Sequence, residues 1–216
     1  LYIVIGTLVG ARLGHCLFYE PAYYLFHPLD ILKIWKGGLA SHGGGLGVII
    51  AVLLYLRKRP DQSFIWLGDI MAAPLALTGC FIRLGNFFNS EIIGKPSTLP
   101  WAMIFSKVDS VPRHPAQLYE AFVYLALSII LVILYNKKGK QLRPGMFLGI
   151  MFIWIFTSRI FIELVKENQV SFEDSMFANM GQILSVPFII FGILLVTGLY
   201  NNIVNYFFPK QYFEDE

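Results

Sequence analysis

The chain has 216 residues, of which 56% are hydrophobic and only 14% charged, with a formal net charge of +3. A soluble domain carries roughly 25% charged residues, so this chain cannot cover a water-facing surface with charge, and its hydrophobicity excludes disorder. Two cysteines cannot staple a scaffold of this size, and no Lys/Arg run is long enough for a nucleic-acid protein.

Six apolar stretches follow in chain order, each near the ~20 residues that a spanning helix needs. They cover residues 1–18, 39–56, 64–85, 116–135, 146–165 and 180–200. They predict an all-α polytopic membrane bundle, a single transmembrane domain over 1–216. The first stretch starts at Leu1 with neither Met nor a charged n-region, so it does not read as a signal peptide. A further helix upstream of Leu1 is expected.

Between the stretches lie the charges that set orientation. Arg57, Lys58 and Arg59 follow the second stretch, and Lys137, Lys138, Lys140 and Arg143 follow the fourth. With Lys210, that side holds eight basic residues. The other side holds six over longer connections: Lys33, Lys36, Lys95, Lys107, Arg113 and Lys166. The dense clusters predict that the short basic loops and the C-terminus are cytoplasmic. Residues 86–115, with Pro96, Pro100, Pro112 and Pro115, then form a small polar head outside.

Ionisable groups within apolar stretches cost at least ~2.5 kcal/mol each and usually serve a site. Arg83 stands three residues before Asn86, on one helix face, with Asn89, Ser90 and Glu91 beyond. The rival reading is an arginine snorkelling to the interface. Arg159 and Glu163 lie one turn apart, either as an internal ion pair or as an arginine oriented toward an anion. His42 sits in Gly37-Gly-Leu-Ala-Ser-His-Gly-Gly-Gly-Leu-Gly47. Those glycines suit close helix packing, with His42 as a hydrogen-bond donor between helices, or close approach of a lipid headgroup to an imidazole that accepts a proton. Gln117 and Glu120 share a face where the fourth stretch begins. Arg12 and His15 also share a face, and no role is assigned to them. Cys16 and Cys80 read as buried, inert thiols.

No zinc, phosphate-loop or Gly-x-Ser-x-Gly motif occurs, so neither a metal nor a cofactor is expected. Two intramembrane arginines with amides and a histidine suit the phosphate of an anionic lipid, because the guanidinium fork matches phosphate bidentately. The residues alone do not name the reaction. A lipid transporter and an intramembrane scaffold stay open, although the two halves show no inverted repeat.

The combination Arg83-Leu-Gly-Asn-Phe-Phe-Asn-Ser-Glu91 with Gly94, joined to Pro112-Arg-His-Pro-Ala-Gln-Leu-Tyr-Glu120, resembles the prolipoprotein diacylglyceryl transferase family of bacterial inner membranes. So do Val9-Gly-Ala-Arg-Leu-Gly14, Ser41-His-Gly-Gly44, Arg159 with Glu163, and Met180-Gly-Gln-Ile-Leu-Ser-Val-Pro187. The resemblance runs through nearly the whole chain. It implies seven helices in the full protein, six of them here, with the 86–115 head periplasmic. It implies transfer of a diacylglyceryl group from phosphatidylglycerol to the lipobox cysteine of a prolipoprotein signal peptide, forming a thioether and releasing glycerol-1-phosphate. In that reaction His42 is the candidate base, and Arg83 and Arg159 stabilise the phosphate. Asn86, Glu91 and Gly94 bind the lipid, and Glu163 orients Arg159. Ile155 stands where the family often has tyrosine, so no hydroxyl is expected there.

Overall fold

The computed structural model describes residues 1–59, 61–167 and 179–200. They form α1 (Tyr2–Phe18), α2 (Pro21–Phe26), α3 (Ser41–Lys58), α4 (Phe64–Asn89), β1 (Met103–Ile104), β2 (Pro112–Arg113), α5 (Ala116–Lys138), α6 (Met146–Glu163) and α7 (Met180–Thr197). Among the described residues, α4, α5 and α6 are long and apolar enough to cross a membrane, and α1 and α7 are shorter apolar helices. At most a third of the apolar window in those three is buried within the protein. Their outward faces are apolar, as lipid contact requires. The chain forms two compact units, Leu1–Phe64 and the residues from Ile65 on.

In the first unit, α1 and α3 pack through small residues. Gly6, Gly10 and Gly14 recur every four positions on α1, and Gly43, Gly47 and Ala51 do so on α3. A Cβ on Gly43 would lie 2.8 Å from the Cα of Gly14, and one on Gly10 would lie 2.8 Å from the Cα of Gly47. Backbone therefore meets backbone, the small-xxx-small contact of membrane helices. The approach expected of the glycines around His42 is thus made by α1.

Arg12 corrects its reading as a residue without a role. It is 4% exposed, and its guanidinium donates to four carbonyls: Ile31 at 2.9 Å, Asp30 at 2.6 Å, Gly37 at 2.5 Å and Gly38 at 3.1 Å. It also lies 5.2 Å from the Tyr24 ring centre. One cation thereby satisfies the chain that links α1 to α3, which runs through α2 and two short 3₁₀ turns. The second apolar stretch becomes helical only at Ser41, because Gly37 and Gly38 first turn the backbone at φ +83° and +70°.

In the second unit, Ala72 and Ala76 of α4, Leu127 and Leu131 of α5, Phe147, Leu148 and Met151 of α6 and Leu195 of α7 make the core. Gly149 and Gly192 bring α6 and α7 into backbone contact. Two charges at this end of the helices have structural partners. Asp69 on α4 accepts the N–H groups of Gly145 at 2.6 Å and Leu148 at 2.8 Å, capping α6 from a neighbouring helix. Arg143 donates to the carbonyls of Val196 at 2.9 Å and Thr197 at 3.2 Å, where α7 ends. Both pairings place charge where the helix dipole favours it.

The region expected as a head begins later than residue 86, because α4 runs on to Asn89. It holds the β1–β2 hairpin, with Met103 opposite Arg113. Arg113 clasps Asp109 at 2.6 Å and Glu167 at 2.8 Å. Its guanidinium holds the Asp109 carboxyl below the usual carboxylate range.

Candidate functional site

The end of α4 explains how one stretch can carry a guanidinium, an amide and a carboxylate together. Ser90 adopts φ +60°. Its N–H reaches the Phe87 carbonyl at 3.1 Å, and the Glu91 N–H reaches the Asn86 carbonyl at 2.9 Å. This is a Schellman stop, with serine in the left-handed position that glycine usually fills. It folds Glu91 back, so that Asn86 Nδ2 donates to Glu91 Oε2 at 2.8 Å. Arg83 Nη1 donates to Asn86 Oδ1 at 3.1 Å. Ile92, β-branched, follows at φ +54°. Two left-handed residues flanking Glu91 mark strain held by the surrounding structure.

From Arg83 a chain of charges runs inward. Arg83 Nε lies 2.8 Å from Glu120 Oε2, out of line for a hydrogen bond. Glu120 Oε1 accepts from Lys166 Nζ at 3.1 Å, and Lys166 also donates to Glu163 Oε2 at 3.2 Å. Arg159 Nε lies 3.9 Å from the same Glu163 oxygen. Arg83 and Arg159, on α4 and α6, are thus joined through residues of α5 and the segment after α6. Glu120 is 0% and Lys166 2% exposed. Such groups persist out of water only when paired.

Glu163, expected to orient Arg159, pairs with it at 3.9 Å and also accepts from Lys166 at 3.2 Å. Arg159 Nε, although buried, has no hydrogen-bond partner among the described residues. Lys166, counted as an outside connection charge, sits inside the unit. The sequence hint was its place three residues after Glu163, where a helix turn would bring the two together. Glu120 was visible as an ionisable group beside an apolar stretch, but its partners lie far away in sequence.

Gly94 is buried where three segments meet. Its N–H donates to the His114 carbonyl at 3.1 Å, and Arg113 Nη1 reaches its carbonyl at 3.3 Å. A Cβ there would lie 2.5 Å from that of His114 and 2.9 Å from the Val165 carbonyl oxygen. Close backbone approach is reason enough for glycine. The neighbouring strand-like contacts tie Lys95 to Val165 at 2.8 Å and Glu167 to Ile93 at 3.2 Å. They hold Lys166 over Glu120. Gln117, fully buried, donates to the Glu91 carbonyl at 2.6 Å.

His42 belongs to the first unit. It stands exposed in the first turn of α3, beside a cleft of about 360 Å³ lined also by Gly14, Phe18, Tyr19 and Leu46. Its neighbours Gly43 and Gly47 take the packing face, which leaves the imidazole free of it. Among the described residues no cluster of His, Cys, Asp and Glu could hold a metal ion.

The chain matches the family profile described as prolipoprotein diacylglyceryl transferase over residues 1–197. It is 52% identical over 195 residues to the phosphatidylglycerol–prolipoprotein diacylglyceryl transferase of Tolumonas auensis, covering 90% of this chain and 75% of that protein. Proteins of the same name from Chloroherpeton thalassium and Bacteroides fragilis are 48% and 50% identical. Those matches cover 90% and 89% of this chain and 73% of each relative.

Proposed function

The chain belongs to the prolipoprotein diacylglyceryl transferase family, and from that premise we propose how its residues serve the reaction. The chain is a membrane transferase that moves the diacylglyceryl group of phosphatidylglycerol to prolipoprotein. The acceptor is the thiol of the lipobox cysteine. A sulfur–carbon bond forms as the carbon–oxygen bond to phosphate breaks, and glycerol-1-phosphate leaves.

The observation that supports this reading is the charge chain. Two arginines from different helices are joined through Glu120, Lys166 and Glu163, three cations to two carboxylates. The phosphodiester carries one negative charge, and the departing monoester tends toward two. Preorganised donors aimed at that gain stabilise the transition state. Arg83 and Arg159 supply them. Arg159, with a buried N–H unmatched among the described residues and its close carboxylate engaged by Lys166, keeps donor capacity for a phosphate oxygen. Asn86 and Glu91 hold the headgroup, and Gly94 lets the 93–96 segment close beside them. Glu163 fixes Lys166 and steadies Arg159 at longer range. A free thiol has pKa ~8.5 and reacts as the thiolate. His42 accepts its proton.

The six apolar helices α1, α3, α4, α5, α6 and α7 all cross the bacterial inner membrane, with the head that follows Asn89 periplasmic. Purified full-length protein, phosphatidylglycerol and a lipobox peptide test the reaction. The expected result is a peptide heavier by one diacylglyceryl group, with one glycerol-1-phosphate released per thioether. Lipid crossing the bilayer while the peptide stays unmodified would replace this reading with a transporter.

A further inference from the structure

A second site of different character lies at the other end of the helices that carry the charge chain. Arg83 is near the end of α4 and Glu163 at the end of α6, whereas Trp66 and Phe147 are near the starts of those helices. Trp66 and Arg83 are separated along α4 by roughly 25 Å of helix. Around Trp66, Tyr135 and Phe147 opens a cavity of about 600 Å³, rimmed by Lys137, Lys138 and Arg143. Its single carboxylate, Asp69, is already occupied, since both oxygens accept N–H groups at the start of α6. Arg143 is held in place by the last carbonyls of α7. Lys137 and Lys138 are exposed, and among the described residues neither has a carboxylate partner. The cavity therefore combines an aromatic and apolar floor, a fixed guanidinium and two exposed ammonium groups.

We propose that this cavity binds an anionic phospholipid of the leaflet opposite the transfer reaction, with its phosphate between Lys137, Lys138 and Arg143 and its glycerol and upper acyl carbons on Trp66, Tyr135 and Phe147. The occupant follows from complementarity. Aromatic side chains prefer the headgroup level of a bilayer, and basic pockets between spanning helices select anionic headgroups. A free phosphate would satisfy the rim but leave the apolar floor in water. The proposal rests on the proposed function only for the leaflet it names, and its test reads binding rather than transfer.

A local reporter separates this site from the one at Arg83. Gln141 lines the cavity and is exposed, while Cys16 and Cys80 are buried. Full-length Gln141→Cys protein, labelled with a bromine-quenchable fluorophore, is reconstituted in phosphatidylcholine bilayers. The bilayers are titrated with brominated phosphatidic acid or brominated phosphatidylcholine. Quenching should show preference for the anionic lipid, and 1 M salt should weaken it. Lys137→Gln with Lys138→Gln should lower that preference roughly 30-fold while transfer activity stays normal, which shows the pair is folded. Lys137→Arg with Lys138→Arg should retain it. Equal quenching by the two lipids in the unsubstituted protein would overturn the proposal. So would an anionic preference that survives the double glutamine substitution.

Discussion

Glu120 is the residue on which the buried charge chain turns, because it faces Arg83 on one side and Lys166 on the other while fully excluded from solvent. Glu120→Gln leaves two cations facing a neutral amide, and breaking a buried pair from one side costs roughly 3–5 kcal/mol. Lys166→Met alone should be similarly harmful. The double variant should recover a substantial part, since it removes both ends of one interaction. Chemical unfolding of the four proteins in one detergent checks this, and strictly additive losses would mean the two residues are not coupled. His42 calls for the opposite behaviour. Exposed and off the packing face, His42→Asn should leave the unfolding midpoint in place while lowering turnover about 10²–10⁴-fold. Normal turnover would remove His42 from the proton transfer. The grouping of Arg83, Asn86 and Glu91 was legible in the sequence because helix spacing alone brings the first two together. The partnership of Glu120 with Lys166 was not, since 46 residues separate them. Arg12 was misjudged for a related reason: its acceptors are backbone carbonyls, which leave no side-chain pattern to read.

At the scale of elements, the α1–α3 contact discriminates sharply between Gly43 and Gly45. A Cβ on Gly43 meets the α1 backbone, whereas one on Gly45 meets nothing within 4 Å. Gly43→Ala must therefore push the helices apart, at about 1–3 kcal/mol. Gly45→Ala should be neutral or stabilising by up to ~1 kcal/mol, as alanine is the better helix former. Thermal unfolding of the two variants side by side measures the difference, and equal midpoints would refute the contact. The existence and order of the main helices were legible from apolar runs, but their ends were not. The fifth stretch stops at Glu163, and the third runs to Asn89, where the turn at Ser90 ends it. The decisive signal for the third is a serine, not a glycine, in the left-handed position.

For the whole molecule, the distribution of charge along α4, α5 and α6 separates two ends. One carries the Arg83–Arg159 chain, and the other carries Lys137, Lys138 and Arg143. That polarity is the physical content of the proposed topology. Single cysteines in intact cells test it. Ser97→Cys should react with an impermeant thiol reagent and Lys138→Cys should be shielded; the reverse pattern would invert the orientation. A membrane class was legible in composition, and Arg83 and Arg159 stood out as ionisable groups within apolar stretches. The link between those arginines was not, because it runs through tertiary contacts of Lys166. The central claim is that the two arginines stabilise one lipid phosphate during transfer. It is tested most directly by diacylglyceryl transfer per folded molecule in Arg83→Lys and Arg83→Ala, beside binding of phosphatidylglycerol against phosphatidylcholine. Lysine keeps the charge but loses the planar fork. Arg83→Lys should be severely impaired and Arg83→Ala nearly inactive, with the preference for the anionic lipid reduced in step. Transfer at the unsubstituted rate by Arg83→Ala, or activity lost with the full preference kept, would contradict it.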